Sequence, residues 1–494
     1  EDRLQPGVPE SLQTLLRAGI RCWMLTGDKL ETAVAIATTA RLTAPNQKLC
    51  VLRESCIGEP GGAAGALRKA YEEASKDHAE SEHGAALVME GGFLASILND
   101  GAPGEVDESF EPLMRTCQVV VCCRFSPKQK ATIVKFVQER LKSVALAVGD
   151  GANDVGMIKA ADIGIGIAGR EGASAVLASD FALGQFRFLV RLLLVHGRSA
   201  YRRNREVVFY SLYKNLTYVL ANVYLAHASA FSAEPLYTAA LIAGYNSIFT
   251  AFPIIAFACF DQDVSSRTAE VYAELYAQTR SAGLREMLRE LRGWIASALW
   301  HSVVVYYFAV VPLQAATPDG LERGIWETGM LVYTNCVVVV NLKIALRTSH
   351  WTWINHLFVW GSIIIWIPFL AYISRVWRSM GLFSDAYGVA GMLLPYAVFW
   401  LVVLLAAITA LLPDLTISTA RRLLKPEDHE ILQELEHLQS GNGQPKLCGT
   451  SETADVAAGA RNSSRRADEE GGQGLRPEDL WLTEPVSVAM RSTP

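Results

Sequence analysis

Three short polar segments, each placed directly after a short apolar run, contain residue types that bind phosphate and metal ions. The first is Thr26-Gly27-Asp28, where a glycine lets the backbone approach a ligand and the threonine hydroxyl and helix-start amides suit a phosphate. A tripeptide of this kind is a weak signal, because the aspartate could instead cap a helix that begins at Lys29. The segment is therefore a candidate phosphate contact or a helix cap.

The second segment is basic. Arg124 follows an apolar run, and Lys128 and Lys130 come shortly after it. Arginine can grip phosphate oxygens through its forked guanidinium group, and lysine can neutralise them as a point charge. A solvated basic start of a helix explains the same residues equally well.

The third segment runs from Gly149 to Asp154 and is rich in side-chain oxygen. Asp150 and Asp154 supply carboxylates and Asn153 supplies a carboxamide. Mg²⁺ prefers hard oxygen ligands and commonly takes one or two protein carboxylates, which leaves room for phosphate oxygens. An aspartate–glycine turn is the alternative. So much acid directly after an apolar run favours a metal site.

The apolar runs before these segments predict buried parallel strands, because they are short and separated by helix-like stretches. Strands are predicted at 21–25, 118–123, 144–148 and 162–167, and helices at 29–40 and 128–141. This alternation indicates an α/β domain whose parallel sheet is covered on both faces. Chemistry in such sheets gathers beyond the carboxyl ends of the strands, where all three segments fall. Residues 60–86, rich in Ala, Gly, Glu and Lys, are predicted to form a surface excursion.

The later part of the chain contains six apolar runs, each of about the 17–25 residues that cross a hydrocarbon core. They are 206–230, 237–260, 294–313, 329–346, 353–373 and 389–412. Six arginines precede the first run and five follow the second, whereas the turn between these runs has no lysine or arginine. The positive-inside rule therefore predicts that both ends are cytosolic, although Arg375 and Arg378 go mildly against it.

The predicted organisation has five parts. They are a soluble domain at 1–185, a basic linker helix at 186–205, a six-span α-helical membrane domain at 206–412, a cytosolic segment at 413–436 and a disordered tail at 437–494.

Lys214 is the most informative residue of the apolar runs, since it lies about 12 Å into the layer when counted from Glu206 at helical rise. An ionisable group there costs roughly 2.5–3.5 kcal/mol on insertion scales, so function is the default hypothesis. Extension of the side chain toward the cytosolic surface is the alternative. Asn215 follows it, Asn246 lies in the second run, and no acidic residue occurs from 237 to 260. Lysine and carboxamides without carboxylates suit a zwitterionic or anionic headgroup better than a metal cation.

Composition narrows the class further. The 494 residues are 51% hydrophobic, carry a net charge of −5 and include nine cysteines. This charge gives no support to nucleic-acid binding. The scattered cysteines lack metal-ligand spacing and fit reduced thiols in cytosolic or intramembrane positions.

Two sets of strings resemble one known family. The soluble part contains "EDRLQPGVPE", "WMLTGDKLETA", "CCRFSPKQKA" and "VGDGANDVGMIKAADIGIGI". In this order they resemble the phosphorylation domain of P-type ATPases, a haloacid-dehalogenase-like Rossmann fold. The membrane part contains "YKN", "YNSIFTAFPIIAFACFDQDV", "TNCVVVVNLKIAL" and "LLPDLTISTARRLLKPEDHEILQE". These look like type-four P-type ATPases, the phospholipid flippases, and extend the resemblance over residues 1 to 436.

The resemblance implies roles for residues in both parts. Nucleotide or phosphate contacts are implied for Thr26, Gly27, Asp28, Arg124, Lys130, Asn153 and Asp154. Asp150 and Asp154 would bind Mg²⁺, and Lys130 and Asp150 would be catalytic. In the membrane part, the lipid path would include Lys214, Asn215 and Asn246, with Asp261 and Asp263 at the cytosolic end of the second span.

Members of this family transfer phosphate from ATP, with Mg²⁺, to an aspartate in a DKTGT motif, and this chain contains no such motif. The nucleotide-binding insertion, the actuator domain and the first four spans of the family are also absent. We therefore expect the chain alone to form no phosphoenzyme and to be the C-terminal part of a parent that moves phospholipid from the exoplasmic to the cytosolic leaflet. A smaller departure is Ala273, where the family usually has proline.

The resemblance also implies a cargo and a partner. The cargo would be a phospholipid, with an aminophospholipid favoured, and most members need a small two-span glycoprotein β subunit. The plasma membrane, the Golgi and endosomes all stay open as locations. A cation-transporting P-type ATPase and a non-catalytic membrane scaffold are the alternative functions.

Overall fold

The computed structural model divides the chain into two compact units. The first contains Glu1–Arg198, Ser266–Gly283 and Leu447–Pro494, and the second contains Ser199–Ser265 and Leu284–Lys446. The residues that the structure describes are 4–44, 47–58, 61–80, 84–97, 109–169, 173–281, 283–314, 324–376, 387–441 and 487–490.

The first unit is built on a parallel sheet of eight strands. They are β1 (Arg21–Leu25), β2 (Leu49–Leu52), β3 (Ala86–Glu90), β4 (Val119–Cys123), β5 (Ala145–Gly149), β6 (Ile163–Ile167), β7 (Phe181–Leu183) and β8 (Ser487–Met490). Their order across the sheet is β2-β3-β4-β1-β8-β5-β6-β7. The four predicted strands are β1, β4, β5 and β6. Their nearly continuous burial explains why they read as uninterrupted apolar runs.

Helices cover the sheet. In chain order they are α1 (Val8–Arg17), α2 (Leu30–Thr39), α3 (Gly62–Glu80), α4 (Gly91–Ile97), α5 (Phe110–Thr116), α6 (Pro127–Glu139), α7 (Val155–Ala160), α8 (Ser174–Ala178) and α9 (Phe188–Val190). The two predicted helices correspond to α2 and α6. Two hydrophobic clusters pack among the strands and helices of this unit.

The segment predicted as a surface excursion is instead an integral helix. Within α3, Leu67, Ala70 and Ala74 are buried, and α3 packs on α5 and β2. The prediction for 60–86 was therefore wrong. Small residues at helical spacing form an apolar stripe that a reading of composition alone misses.

The strand β8 lies in the region predicted to be disordered. Val488 is in register with Cys22 of β1 on one side and with Leu146 of β5 on the other. β8 therefore fills a one-strand slot between β1 and β5, whose inner edges would otherwise present unpaired backbone groups. The disorder prediction is wrong for these four residues and for 437–441, which end the last helix, while 442–486 and 491–494 lie outside the described residues.

The remaining helices belong mostly to the second unit. They are α10 (Arg198–Ala228), α11 (Ala239–Gly244), α12 (Ala251–Phe260), α13 (Ser266–Val271), α14 (Glu274–Ser281), α15 (Leu284–Gln314), α16 (Ile325–Arg347), α17 (Trp353–Val376), α18 (Val389–Leu393), α19 (Ala397–Leu424) and α20 (Asp428–Gly441). Of these, α13 and α14 are part of the first unit. π-helical segments at Arg191–Gly197 and Tyr245–Phe249 join neighbouring helices.

Among the described residues, five helical stretches are long and apolar enough to span a membrane. They are Leu241–Phe260, Leu284–Leu313, Ile325–Arg347, Trp353–Arg375 and Ala397–Leu424. They overlap the second to sixth predicted spans. The first predicted span lies on α10, which has 31 residues but carries Lys214, Asn215 and Asn222, so composition supports five spans rather than six.

Two predicted boundaries differ from the observed helices. The linker predicted at 186–205 is not a separate helix, because α9, the π-helical segment and α10 follow one another without a break. The last predicted span, 389–412, is divided between α18 and α19, and α19 continues to Leu424. Charged residues extend α10 and α19 beyond their apolar parts, where periodicity of apolar residues gives no signal, and Pro395 lies at the break between α18 and α19.

α16 is the central helix of the second unit. It packs against α12, α15, α17, α18 and α19. Its buried polar side chains bond to neighbouring helices: Asn335 donates to the Val305 carbonyl at 3.3 Å, Asn341 to the Phe249 carbonyl at 2.9 Å, and Trp366 donates to Thr334 at 2.9 Å. The outer helices α10, α17 and α19 expose many large apolar side chains, which fits a unit surrounded by lipid.

Candidate functional site

The three predicted polar segments lie at the carboxyl edge of the sheet. The backbone N–H of Arg124, after β4, donates to the Asp28 carbonyl, after β1, at 2.9 Å. The Phe125 N–H donates to the Thr26 carbonyl at 3.0 Å. The first and second segments are therefore in direct contact. The third follows β5, on the other side of the β8 position.

The side chain of Asp28 is held by Thr26. The buried Thr26 hydroxyl donates to Asp28 Oδ2 at 2.5 Å and accepts from the Asp28 N–H at 3.1 Å. The N-cap of α2 is Lys29, without a side-chain capping bond. Asp28 therefore does not cap the helix, and its carboxylate is directed by the threonine at the edge of the sheet.

Arg124 has an unusual backbone. Its φ is +56°, in the left-handed region that side-chain-bearing residues rarely adopt. Its side chain is 54% exposed, and Nη1 lies 3.7 Å from Oε1 of the partly buried Glu90. Glu90 is itself fixed, since its Oε2 accepts from the Glu54 N–H at 3.1 Å. The guanidinium group is thus exposed at the carboxyl edge of the sheet.

Lys130 does not belong to a solvated helix start. Its Nζ donates to Asp154 Oδ1 at 2.9 Å, and both side chains are almost fully buried. The start of α6 is secured separately, by a capping box between Ser126 and Gln129. A Cβ at Gly149 would lie 2.5 Å from the Cβ of Asp154, so only glycine lets the loop after β5 bring Asp154 against Lys130.

Asp150 and Asn153 complete the third segment. Asp150 is half-buried directly after β5, and the exposed Asn153 lies in a 3-10 turn, Ala152–Asp154. Within the described ranges, no group of three or more His, Cys, Asp or Glu residues converges as a closed metal site. Mg²⁺ fits such an open arrangement, because it takes few protein carboxylates and fills its remaining positions with water and phosphate oxygens. Of the two carboxylates, Asp150 is half-buried and Asp154 is paired with Lys130.

The cysteines near this edge are not nucleophiles. Burial raises the pKa of Cys22 to about 12. Burial and the neighbouring Glu90 charge raise the pKa of Cys123 to about 11. These thiols are protonated at neutral pH, and every cysteine that the structure describes is free.

In the second unit, Lys214 belongs to α10, and its side chain is buried against the second predicted span. Its Nζ donates to Thr250 Oγ1 at 2.7 Å, and the Thr250 hydroxyl donates to the Tyr245 carbonyl at 2.6 Å. In return, the Tyr245 hydroxyl donates to the Lys214 carbonyl at 2.9 Å. Tyr245 lies in the π-helical segment Tyr245–Phe249, and π turns of this kind often occur at functional sites.

The other predicted residues of the lipid path lie apart from this buried cluster. Asn215 and Asn246 are both exposed. Lys214 is instead accompanied by aromatic rings: its Nζ is 5.7 Å from the Tyr245 ring centroid. Tyr218 stacks on that ring with a centroid distance of 4.3 Å. The structure therefore joins Lys214 to tyrosines and a threonine, not to the two asparagines.

Asp261 and Asp263 follow α12, at the end of the second predicted span. Fully buried Asp261 pairs with Arg202 of α10 and accepts the backbone N–H groups of Ser349 and His350 at 2.8 and 3.0 Å. The Asp263 carbonyl accepts from Gln433 of α20 at 2.6 Å. Asp261 and Asp263 therefore connect the end of α12 to neighbouring helices.

The sequence analysis missed a charged network formed by Tyr213, His301, Lys343 and Asp414, called the Asp414 network below. Asp414 Oδ2 lies 2.6 Å from Lys343 Nζ and 3.1 Å from His301 Nε2. The Tyr213 hydroxyl lies 2.5 Å from His301 Nδ1. Ser297 donates to Asp414 Oδ1 at 3.0 Å. Lys343 and His301 inside predicted spans were the available signal, but Asp414 lies two residues beyond the predicted end of the last span.

Comparison with known proteins gives a consistent result. A family model described as "Phospholipid-translocating P-type ATPase C-terminal" matches residues 176–427. Probable phospholipid-transporting ATPase 4 of Arabidopsis thaliana is 36% identical over 447 residues, which cover 88% of this chain and 36% of that protein. Phospholipid-transporting ATPase DRS2 of Saccharomyces cerevisiae is 35% identical over 453 residues, which cover 90% of this chain and 33% of that protein. The chain therefore spans about a third of the length of these relatives.

Proposed function

Because the chain belongs to the phospholipid-translocating P-type ATPases, we propose that it is the C-terminal part of an ATP-driven phospholipid flippase. In the complete protein, an aspartyl-phosphate cycle would move phospholipid from the exoplasmic to the cytosolic leaflet. The observation that carries this proposal is the coexistence of a sheet edge lined by residue types that suit phosphate and a buried lysine in apolar helices.

The sheet edge supports the phosphoryl-transfer half of the proposal. The guanidinium of Arg124 and the edge around Thr26-Gly27-Asp28 would bind nucleotide or phosphate, with Asn153 nearby. Lys130, held by Asp154, would neutralise the transferring phosphoryl group, because a cation aimed at developing charge stabilises it. Asp150, with Asp154 as the second carboxylate, would hold Mg²⁺, which would neutralise the phosphates of ATP. The Rossmann-like, haloacid-dehalogenase type of this domain is part of the same proposal.

The slot between β1 and β5 offers a position for the phosphate-accepting aspartate, which this chain lacks. A strand of the complete protein in that slot would end between the segment after β1 and the segment after β5. An aspartate just beyond such a strand would meet Asp28, Lys130 and Asp150 at one edge. β8 occupies the slot in this chain, which contains no DKTGT motif.

The buried Lys214 supports a lipid cargo. A cation pump would be expected to use carboxylates in its spans to replace lost hydration, whereas 237–260 contains none. An ammonium group near tyrosine hydroxyls suits the phosphate or carboxylate of a headgroup, and an aminophospholipid is the first candidate. Asn215 and Asn246 would act at the exposed faces of the same helices, and the first predicted span would be the sixth to cross the membrane.

The decisive experiment is leaflet-resolved transport by the complete protein in vesicles that contain labelled phosphatidylserine, phosphatidylethanolamine or phosphatidylcholine. We expect ATP- and Mg²⁺-dependent inward movement of at least one lipid, with no movement by an Asp150→Asn control. Activation by calcium, sodium or protons but by no lipid would replace this proposal with a cation pump. Absence of any phosphoenzyme would replace it with a non-catalytic scaffold.

The remaining parts of the proposal concern the orientation of the chain, its membrane and its partner subunit. Both chain ends would be cytosolic, as the arginine distribution favours. The membrane would be the plasma membrane, the Golgi or an endosome, and a small two-span β subunit would accompany the complete protein. Co-purification of such a subunit with the complete protein is the direct test.

A further inference from the structure

We propose that the Asp414 network fixes the rotation of α10 about its axis and thereby positions the ammonium group of Lys214. The four members are then positioning residues, and Lys343 supplies the counter-charge of Asp414. The inference rests on the proposed role of Lys214 in the lipid path, and it adds residues on three other helices to that role.

The network contains one carboxylate and two bases, all with largely buried side chains. The side chain of His301 is 1% exposed, that of Lys343 4% and that of Asp414 17%. A buried carboxylate needs a compensating cation. Lys343 is the closer of the two bases, at 2.6 Å, and it provides that cation.

His301 links Asp414 to Tyr213. Its Nε2 lies at ion-pair distance from Asp414 Oδ2, 3.1 Å, and its Nδ1 lies 2.5 Å from the Tyr213 hydroxyl. A carboxylate can only accept, so its position beside Nε2 favours a proton on that nitrogen, and Nδ1 can then accept from the Tyr213 hydroxyl. The imidazole ring therefore connects the position of Asp414 to that of Tyr213.

Tyr213 carries this arrangement to α10. One turn earlier on the same helix, the Tyr210 hydroxyl donates to the Val340 carbonyl of α16 at 3.2 Å. These two contacts hold one side of α10 against α15 and α16. Lys214 is the next residue after Tyr213 and points about 100° around the helix, since 3.6 residues make a turn. Its path to Thr250 is therefore set by the anchoring of Tyr213 and Tyr210.

Water reaches the network from one side. A cavity of about 310 Å³ borders Lys343 and Asp414, so protons can equilibrate with this site. The other charged or titratable groups that face the network are Glu206 and Tyr210 on α10, Glu290 on α15, Cys336 and Arg347 on α16, and Arg421 on α19. Of these, Arg347 is one helical turn beyond Lys343 and makes its nearest ion pair with Glu206, at 4.0 Å.

The test uses the complete protein in lipid vesicles and compares Lys343→Met with Arg347→Met as the matched control. Without Lys343, Asp414 loses its nearest counter-charge, so the contacts of Asp414 with His301 and of His301 with Tyr213 are weakened. We expect Lys343→Met to raise the lipid concentration for half-activation of the ATPase about tenfold, at a maximal rate within about twofold of wild type.

Arg347→Met should shift the lipid concentration for half-activation by less than about twofold, and Lys343→Arg, which keeps the positive charge, should stay close to wild type. Phosphorylation from ATP in Lys343→Met should stay within about twofold of wild type, because the sheet edge is untouched. An unchanged lipid concentration for half-activation in Lys343→Met, or an equal shift in Arg347→Met, would overturn the proposal.

Two further measurements cover a poorly folded variant and a wrong function. Tyr213→Phe removes one hydroxyl and keeps the ring, and it should raise the lipid concentration for half-activation several-fold at unchanged maximal rate; no change would count against positioning. If no phospholipid activates the wild type, the proposed function fails. The network is then judged from the unfolding temperature in detergent, which should fall more in Lys343→Met than in Arg347→Met.

Discussion

At the scale of single residues, the sheet edge depends on one buried ion pair. Lys130 and Asp154 are each nearly inaccessible and lie 2.9 Å apart. A buried pair gives little net stability over an apolar pair, but loss of one partner leaves an uncompensated charge away from water. The pair therefore fixes where the Lys130 ammonium can lie, and its integrity is a condition for any chemistry at this edge.

The first prediction follows from this pair. Asp154→Asn should reduce the free energy of unfolding of the first unit by about 3–5 kcal/mol, because Lys130 keeps its charge without a counter-charge. Thermal unfolding of the purified chain measures the change. Glu111→Gln is the matched control, since it removes an exposed i,i+4 pair with Arg115 and should cost at most about 1 kcal/mol. Equal effects of the two substitutions would contradict the burial argument.

A second residue-scale prediction concerns Lys214. In the complete protein, Lys214→Ala should lower lipid-stimulated ATPase activity about tenfold, or about 1.4 kcal/mol, while phosphorylation from ATP is unchanged. Lys425→Ala provides a control, because Lys425 is an exposed lysine at the end of α19. Unaltered lipid activation in Lys214→Ala would instead support a lysine that merely extends to the membrane surface.

At the scale of elements, the sheet shows which strands can be predicted from the local sequence pattern. The strands β1, β4, β5 and β6 were predictable because buried parallel strands are continuous apolar runs. β2, β3 and β7 gave weaker signals, since they are short, at the edge or next to segments of mixed composition. The position of β8 could not be predicted from its own four residues, because it depends on a slot that two distant strands form.

The element-scale prediction tests that slot. Ala489→Pro removes the backbone N–H of a residue whose neighbours across the slot are Trp23 and Ala147, so it should disrupt β8 pairing. Amide hydrogen exchange in β1 and β5 should then become at least about tenfold faster, because their facing edges lose a partner. Ala489→Ser keeps the N–H and should leave exchange unchanged. Equal protection in both variants would mean that another segment fills the slot.

At the scale of the whole molecule, the chain combines an α/β unit with a helical unit of membrane-spanning composition. The residues of each proposed site come from separate stretches of the chain. The sequence analysis identified the stretches better than it identified which residues contact one another. Asp150 and Lys214 were found because each is unusual in its own local setting. The Asp414 network was not, because the pairing of Tyr213, His301, Lys343 and Asp414 exists only where α10, α15, α16 and α19 bring them together.

The whole-molecule prediction concerns the chain in isolation. Purified in detergent with lipid, it should show no Mg²⁺-dependent ATPase activity above background, because it has no DKTGT aspartate to accept phosphate. Release of phosphate from labelled ATP measures this, with the complete protein as the positive control. Turnover by the chain alone would mean that the nucleophile is one of its own residues.

The central position of α16 has a consequence for biosynthesis. As the chain leaves the ribosome, α16 enters the bilayer before α17 and α19. Its asparagines bond to earlier segments, but Lys343 finds its counter-charge only in Asp414 of α19. Without α19, the Lys343 ammonium would lie in the apolar layer without a counter-charge, at a cost of several kcal/mol. The insertion machinery must therefore retain α16 until α19 emerges with Asp414, which makes late truncations of the chain targets for quality-control proteases.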